Sequence, residues 1–359
     1  MGDAPLVKEH LLIAFQRDLS PAVVEDIHTK FSDAEITIIR LERGSPVPSE
    51  LARKATILVT FTNLPTVEDA VNLKLIHTLS AGVDHFVTHP VLSSHIPIST
   101  SSGIHGPPIA EWTVMNWLIA SKEFVRTYEN QKLQHWAPLD AYMDKIHDQV
   151  GKKVGILGYG SIGRQIARVS AALGMTVHAY TASPRPTPES RRDTRYIVPG
   201  TGDADGSIPV SWHHGTDKES IHAFLSLGLD HLVVCVPLTT QTHHLLGAEE
   251  FALLSAHAPV VSPKPYLTNI ARGRVLDQDA LIASLQSGEL SGAALDVTNP
   301  EPLPAEHPLW KAPNVRISSH VSSLGKEYFP RSLGIAKLNM ERLGRGEPLV
   351  NEYKRTKGY

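Results

Sequence analysis

Val154-Gly-Ile-Leu-Gly-Tyr-Gly-Ser-Ile-Gly163 decides how the rest of the chain is read. A short apolar run breaks into glycines spaced G-x-G-x-x-G at Gly158, Gly160 and Gly163, and a helical pattern follows. Where a buried parallel strand feeds a helix, the first glycine permits the tight turn. The second lets a pyrophosphate approach the backbone, and the third lets helix and strand pack closely. The helix N-terminus then presents unpaired N–H groups and a positive dipole end to phosphate. The glycine spacing alone is a weak signal, so the flanks carry the argument. Lys153–Leu157 reads as strand, 164–173 as amphipathic helix with Ile166, Ala167, Val169 and Ala171 on its apolar side, and Thr176–Tyr180 as a second strand. That order predicts a Rossmann-type dinucleotide site.

Eighteen residues past Gly163, where an NAD-selective site places a carboxylate on the ribose 2′-hydroxyl, stands Thr181, followed by Ser183 and Arg185. A small hydroxyl and a guanidinium suit a 2′-phosphate, which a carboxylate would repel. The expected cofactor is NADPH/NADP in preference to NADH. Arg191 and Arg192, a little further on, read equally well as solvated loop residues.

The chain has 359 residues, enough for two domains with separate cores, and a net charge of −3 that suggests neither a nucleic-acid nor a membrane-surface partner. The single cysteine, Cys235, cannot form an internal disulfide and reads as a buried thiol in a reducing compartment. With no signal-like N-terminus and no long apolar run, the expected location is cytoplasmic. Residues 1–103 alternate short apolar strands (Leu11–Phe15, Glu35–Leu41, Ile57–Phe61, Leu75–Leu79, Ile96–Thr100) with helical patterns. A long helix is predicted from Pro107. Beyond the glycine loop, strands are expected at Leu232–Val236, Val260–Ser262, Leu267–Ile270, Gly292–Val297 and Val315–Ser318, and a last helix at Tyr328–Leu343. The fold expected is α/β, two doubly wound parallel-sheet domains, the larger a Rossmann dinucleotide-binding domain over 104–325. The smaller, substrate-binding domain is discontinuous, from 1–103 and 326–359. The polar, proline-rich stretch Thr181–Ser220 reads as one long loop, and Asp203-Ala-Asp205-Gly206 within it as a plain turn.

Three segments end predicted strands on reactive side chains, at the sheet edge where open α/β folds bind ligands. They are Leu267-Thr-Asn-Ile-Ala-Arg272-Gly-Arg, Leu295-Asp296-Val-Thr-Asn-Pro-Glu301-Pro302, and Val315-Arg-Ile-Ser-Ser-His320. Together with a nicotinamide they match the needs of hydride transfer to a 2-oxo acid. Arg272 would hold the acid, His320 pass the proton, and Glu301 orient the histidine and balance its charge. The histidine pairs His213-His214 and His243-His244 lack acidic or cysteine partners at ligand spacing, so no metal is assigned.

With Ser80-Ala81-Gly82-Val83-Asp84, Gly103-Ile-His-Gly106 leading to Ala110-Glu111, and Val236-Pro237-Leu238-Thr239 with Thr242, these segments resemble the D-isomer-specific 2-hydroxyacid dehydrogenase family. The resemblance spans nearly the whole chain. His135-Trp136-Ala-Pro138-Leu139, Glu301-Pro-Leu-Pro304, Pro308-Leu-Trp310, the tail ending Gly358-Tyr359 and Tyr180-Thr-Ala-Ser-Pro-Arg-Pro186 are similar to its NADPH-dependent glyoxylate/hydroxypyruvate reductase branch. The resemblance implies reduction of a small 2-oxo acid, with Arg272, Glu301 and His320 as the catalytic triad. It implies that the N–H groups of Ala81 and Gly82 receive the substrate carboxylate and that Ser161 and Ile162 contact the pyrophosphate. Val236, Pro237 and Thr242 would line the adenosine half, and Ile270 and Asp296 the nicotinamide end. It also implies a homodimer joined through the region containing Trp136. Glu301 stands where formate dehydrogenases of the family carry glutamine. Two alternatives use the same fold, a dinucleotide-sensing corepressor or scaffold and a phosphoglycerate-type NAD-dependent dehydrogenase. The first is disfavoured by the absence of a long Pro/Ser/Gln tail and of an acidic ribose anchor, the second by Thr181 and the lack of an added regulatory domain.

Overall fold

The computed structural model describes residues 8–83, 86, 88–260 and 263–355, in two compact units. One comprises 1–104, 195–197 and 325–359, and the other 105–194 and 198–324. Asp84, Val261, Ser262 and the tail Lys357-Gly-Tyr359 lie outside the described residues.

In the first unit β1 (His10–Phe15), α1 (Pro21–Lys30), β2 (Glu35–Arg40), α2 (Ser49–Lys54), β3 (Ile57–Thr60), β4 (Leu75–Thr78) and β5 (Ile98–Thr100) follow one another. The strands form one parallel sheet in the order β2-β1-β3-β4-β5. Alternation along β1 fills both faces, as a parallel sheet requires. Leu11 and Ile13 pack with Ile27, Phe31 and, from the C-terminal helix Tyr328–Gly344, Leu333 and Ala336. Leu12 and Ala14 turn the other way, toward Ala52, Leu58 and Ile76. The free edge of β5 is covered by the returning chain, because Thr100 N–H donates to the Asn351 carbonyl at 3.0 Å and Tyr353 N–H to that of Ile98 at 2.7 Å.

The second unit opens with α3 (Gly106–Ser121), entered through prolines that need no backbone donor in a first turn, and α4 (Phe124–Lys132). Then come β6 (Lys153–Leu157), α5 (Ser161–Ala172), β7 (Thr176–Thr181), α6 (Pro188–Arg191), β8 (Ser211–His214), α7 (Lys218–Leu225), β9 (His231–Val234), α8 (Ala248–Ala256), β10 (Tyr266–Asn269), α9 (Gln278–Ser287), β11 (Gly292–Leu295) and β12 (Val315–Ile317). The strand order is β12-β11-β10-β9-β6-β7-β8, parallel throughout. The order reverses beside β6, so the carboxyl ends of β6 and β9 flank the crevice where such sheets take their ligands. Trp117 of α3 is fully buried and donates its indole N–H to Thr268 Oγ1 at 3.0 Å. Among the described residues, no helix is long and apolar enough to cross a membrane.

Two expectations are corrected. Val260 lies in a turn, fully exposed, and the strand of that region begins at Tyr266. The stretch 181–220 holds α6 and an edge strand, β8, paired with β7 from His178↔Ser211 to Thr181↔His214. Ser-Trp-His-His carries no apolar alternation, and its pairing comes from the backbone edge that β7 offers.

Candidate active site

The glycine loop is packed to a density that only glycine allows. Gly158 sits at φ +107, and a Cβ there would lie 2.7 Å from the Cys235 carbonyl oxygen. A Cβ on Gly163 would meet the Gly158 carbonyl at 2.4 Å and the Ile156 side chain at 2.9 Å. Gly160 caps α5, whose first residues are Ser161 and Ile162. The Cys235 thiol donates to the Gly158 carbonyl at 2.8 Å. Although part of the residue reaches solvent, burial of the sulfur pushes the thiol up to about 12, so it remains a protonated donor rather than a nucleophile. A cradle filled by any side chain, opening onto a helix N-terminus, fits a dinucleotide pyrophosphate.

Thr181 closes β7 and donates its hydroxyl to the Ser183 carbonyl at 2.8 Å. Ser183 and Arg185 are exposed, and Arg185 Nη1 donates to the Ser190 carbonyl at 2.6 Å across the loop. Beyond β9, the Thr242 hydroxyl donates to the Pro237 carbonyl at 2.7 Å and accepts from the Thr239 N–H at 2.7 Å, fixing the Val236–Thr242 turn. Ile270 is buried, its N–H donating to the Val234 carbonyl at 3.1 Å.

Three strand ends carry Arg272, Glu301 and His320. β10 delivers Arg272, whose Nη1 donates to the Ala271 carbonyl at 2.8 Å. Buried Asn269 braces that turn, its Oδ1 accepting from Ala271 N–H at 3.0 Å and its Nδ2 donating to the Arg272 carbonyl at 3.1 Å. A Cβ on Gly273 would fall 1.9 Å from the Thr298 carbonyl oxygen, so the Arg272 turn and the Thr298–Glu301 turn touch backbone to backbone. Gln278 binds both sides of Asn299, at 2.7 Å to its N–H and 2.6 Å to its carbonyl. Glu301 Oε1 accepts from Thr298 N–H at 3.0 Å, and Glu301 Oε2 lies 3.1 Å from His320 Nδ1.

His320 adopts φ +57, a left-handed backbone that costs a non-glycine residue about 1–2 kcal/mol. Asp296 offsets that cost. Its carbonyl accepts from His320 N–H at 2.9 Å, while its buried carboxylate accepts from the Ser318 hydroxyl and from the N–H groups of Val321 at 2.9 Å and Ser322 at 3.0 Å. Asp296, placed by resemblance at the nicotinamide end, thus has its carboxylate taken up by the loop that carries His320. Gly273 turns the backbone away after Arg272, as its place behind a strand end suggests, whereas Asn269 and Gln278 carry no motif. Their only signal is position, beside a strand end.

In the first unit Ser80 shapes the Ala81–Gly82 turn. Its hydroxyl donates to the Gly82 carbonyl at 2.6 Å and meets Thr78 Oγ1 at 2.7 Å, which leaves Ala81 exposed.

Residues 114–199 and 210–322 match the NAD binding domain of the D-isomer specific 2-hydroxyacid dehydrogenases. The glyoxylate reductase of Thermofilum pendens is 31% identical over 289 residues, 79% of this chain and 76% of that protein. Glyoxylate/hydroxypyruvate reductase A of Salmonella newport is 29% identical over 80% of this chain and 82% of its own length. Among solved structures, the NADPH-dependent glyoxylate/hydroxypyruvate reductase of Sinorhizobium meliloti, crystallised with NADP and sulfate, superposes at a TM-score of 0.72. It is 25% identical and covers 98% of this chain and 100% of its own. A D-isomer specific 2-hydroxyacid dehydrogenase of Xanthobacter autotrophicus Py2, in complex with NADPH and MES, superposes at 0.74 with 25% identity and the same coverage. The chain is an oxidoreductase with a nicotinamide-dinucleotide domain, and it belongs to the D-isomer-specific 2-hydroxyacid dehydrogenase family.

Proposed function

We propose that the protein reduces a small 2-oxo acid, of the glyoxylate or hydroxypyruvate kind, to the D-2-hydroxy acid with NADPH. The observation that carries this reading is the His320–Glu301 pair, 3.1 Å apart and fixed at the carboxyl edge of the sheet beside the Arg272 turn. A bound nicotinamide supplies the hydride. His320 gives its proton from Nε2 to the carbonyl oxygen, leaving a neutral ring that Glu301 holds by Nδ1–H. Arg272 clamps the carboxylate and polarises the carbonyl through its planar fork. On the resemblance, the N–H groups of Ala81 and Gly82 receive the carboxylate as well. Gly158, Gly160, Ser161, Ile162 and Gly163 hold the pyrophosphate, and Val236, Pro237 and Thr242 the adenosine. Ile270 lines the nicotinamide end, and Asp296 acts there as a positioning residue. Thr181, Ser183 and Arg185 take the 2′-phosphate, because no carboxylate stands at the end of β7 to repel it. Residues 1–103 with 326–359 serve the substrate and 104–325 the cofactor.

The second unit also carries an apolar face suited to a second copy of the chain. Met115, Leu118 and Phe124 line a recess of about 610 Å³, and Leu133, Trp136 and Leu139 are 75%, 97% and 83% exposed. An apolar recess and several large exposed apolar side chains in one stretch of chain, 115–139, support a homodimer. Light scattering on the wild type and on Trp136→Glu tests it, the variant being expected as a monomer.

The deciding experiment is a panel of 2-oxo acids assayed with NADPH and NADH in parallel, with chiral analysis of the product. D-2-hydroxy acid formed faster with NADPH supports the reading. Absence of turnover would favour a dinucleotide sensor, and an NADH preference with phosphorylated acids a phosphoglycerate-type enzyme.

A further inference from the structure

Residues 200–209 separate the two stretches in which the family pattern is met, yet Gly202 and Asp203 are bonded to the opening turns of α5. The Asp203 carboxylate accepts from the Tyr159 hydroxyl at 2.7 Å and from the N–H groups of Ser207 and Ile208 at 3.1 and 3.3 Å. Tyr159 stands inside the glycine loop, and burial together with Asp203 keeps its phenol protonated. Gly202 N–H donates to Gln165 Oε1 at 2.6 Å, and Arg168 donates to the Gly202 carbonyl at 3.2 Å. The Ala204 carbonyl accepts from Asp193 N–H at 2.8 Å. Gly206, at φ +67, lies so close to Arg191 that a Cβ would meet it at 2.6 Å.

Arg164 is the hub. Its guanidinium donates to the Asp203 carbonyl and, at 2.5 Å, to the Arg191 carbonyl. Its Nε lies 3.4 Å from the Asp193 carboxylate, in an ion pair whose side chains are only 4% and 3% exposed. The same group lies over the rings of Tyr159 and Trp212, at 5.1 and 5.9 Å. Arg191 lies 5.7 Å from the Trp212 ring and donates Nε to the Arg185 carbonyl at 3.0 Å. One buried cluster therefore joins the glycine loop, the 200–209 segment and the backbone of the loop after β7.

We propose that this cluster determines cofactor specificity. Arg164, Asp193 and Asp203 are positioning residues that hold the 183–192 loop in the shape that receives a phosphorylated adenosine ribose. The proposal rests on the NADPH reading above. An exposed, polar loop would otherwise lose conformational freedom each time a phosphate bound, and a fixed loop avoids that cost. Because Asp203→Asn keeps a side-chain oxygen to accept from Tyr159, the glycine loop, and with it the binding of NADH, should survive the change.

The test is steady-state kinetics of Asp203→Asn and Asp193→Asn with both cofactors. Michaelis constants for NADPH should rise about 5–10-fold, while those for NADH and turnover at saturation stay within about twofold. Gln165→Met removes a single bond from the half-buried side of α5 and should move the NADPH constant the same way by about 2–3-fold, which decides the matter where a carboxylate variant fails to fold. Asp205→Asn, which breaks only an exposed pair with Arg192 at 3.5 Å, should change nothing. Equal shifts for both cofactors, or a lowered melting temperature with an unchanged NADPH to NADH ratio, would overturn the proposal. Wild-type enzyme using NADH as readily as NADPH would overturn the cofactor reading, and this proposal with it.

Discussion

Nδ1 of His320 lies 3.1 Å from one carboxylate oxygen of Glu301, while the other oxygen of that carboxylate accepts from Thr298 N–H. The carboxylate is thus held by backbone on one side and aims at the ring on the other, which leaves Nε2 as the nitrogen for substrate. His320→Ala should cost about 100-fold or more in turnover, the scale of a lost general acid. Glu301→Gln keeps the shape and removes the charge, and should cost on the order of tenfold, equivalent to about 1.4 kcal/mol. Near-normal turnover in His320→Ala would end the mechanism.

Asp296→Asn should act on turnover rather than on cofactor affinity. The carboxylate holds both the hydroxyl of Ser318 and the N–H groups of Val321 and Ser322. Losing the charge from bonds worth about 1.5–3 kcal/mol each should loosen the left-handed turn at His320. A raised Michaelis constant for the cofactor with unchanged turnover would instead make Asp296 a direct contact of the nicotinamide.

Gly273→Ala should destabilise the second unit by about 1–3 kcal/mol, since the new methyl would lie 1.9 Å from the Thr298 carbonyl. Chemical denaturation measures the loss. Because the contact joins the Arg272 and Glu301 turns, turnover of the folded variant should fall as well.

Arg185→Ala should raise the Michaelis constant for NADPH and leave that for NADH nearly unchanged, a difference of about 1.5–3 kcal/mol if the guanidinium reaches the phosphate. Its bond to the Ser190 carbonyl, 2.6 Å in the structure, would be exchanged for the ligand. Equal effects on both cofactors would move the phosphate site elsewhere on the loop.

Acid should weaken the first unit through His77. Burial holds this imidazole down to about 3 from 6.5, against the opposing effect of its bond to Ser332. Nδ1 meets Ser99 Oγ at 2.8 Å and Nε2 meets Ser332 Oγ at 3.1 Å. The unfolded chain takes up the proton first, so the stabilisation is full above pH 6.5 and falls as the pH drops toward 3. Between pH 7 and pH 5 this one histidine should remove about 2 kcal/mol. Urea titrations at the two pH values check it, and His77→Gln should flatten the slope by about one proton.

Much of the architecture was legible because its signals are local. The Gly158, Gly160, Gly163 spacing depends on backbone sterics over six residues, and buried parallel strands appear as short apolar runs whatever surrounds them. Arg272, Glu301 and His320 could be grouped from sequence because each follows a strand, and parallel strands of one sheet end at one edge. β8 escaped notice because an edge strand draws its stability from a neighbour's backbone, and Ser-Trp-His-His has no pattern of its own.

The chain's sequence by itself determined a two-domain α/β fold, a dinucleotide loop and the strand ends that carry Arg272, Glu301 and His320, through spacing and periodicity. Only the tertiary structure decided what holds those ends in place. Asp296 on the His320 turn, Thr298 against Gly273, and Asp203 on Tyr159, 44 residues away, are contacts between distant segments. An arginine opening an amphipathic helix reads as solvent-facing, yet Arg164 is buried between two aromatic rings and a carboxylate. Burial depends on which remote segment folds over a residue. The 200–209 segment covers Arg164 because chain closure brings it there, and no periodicity along the chain encodes that closure.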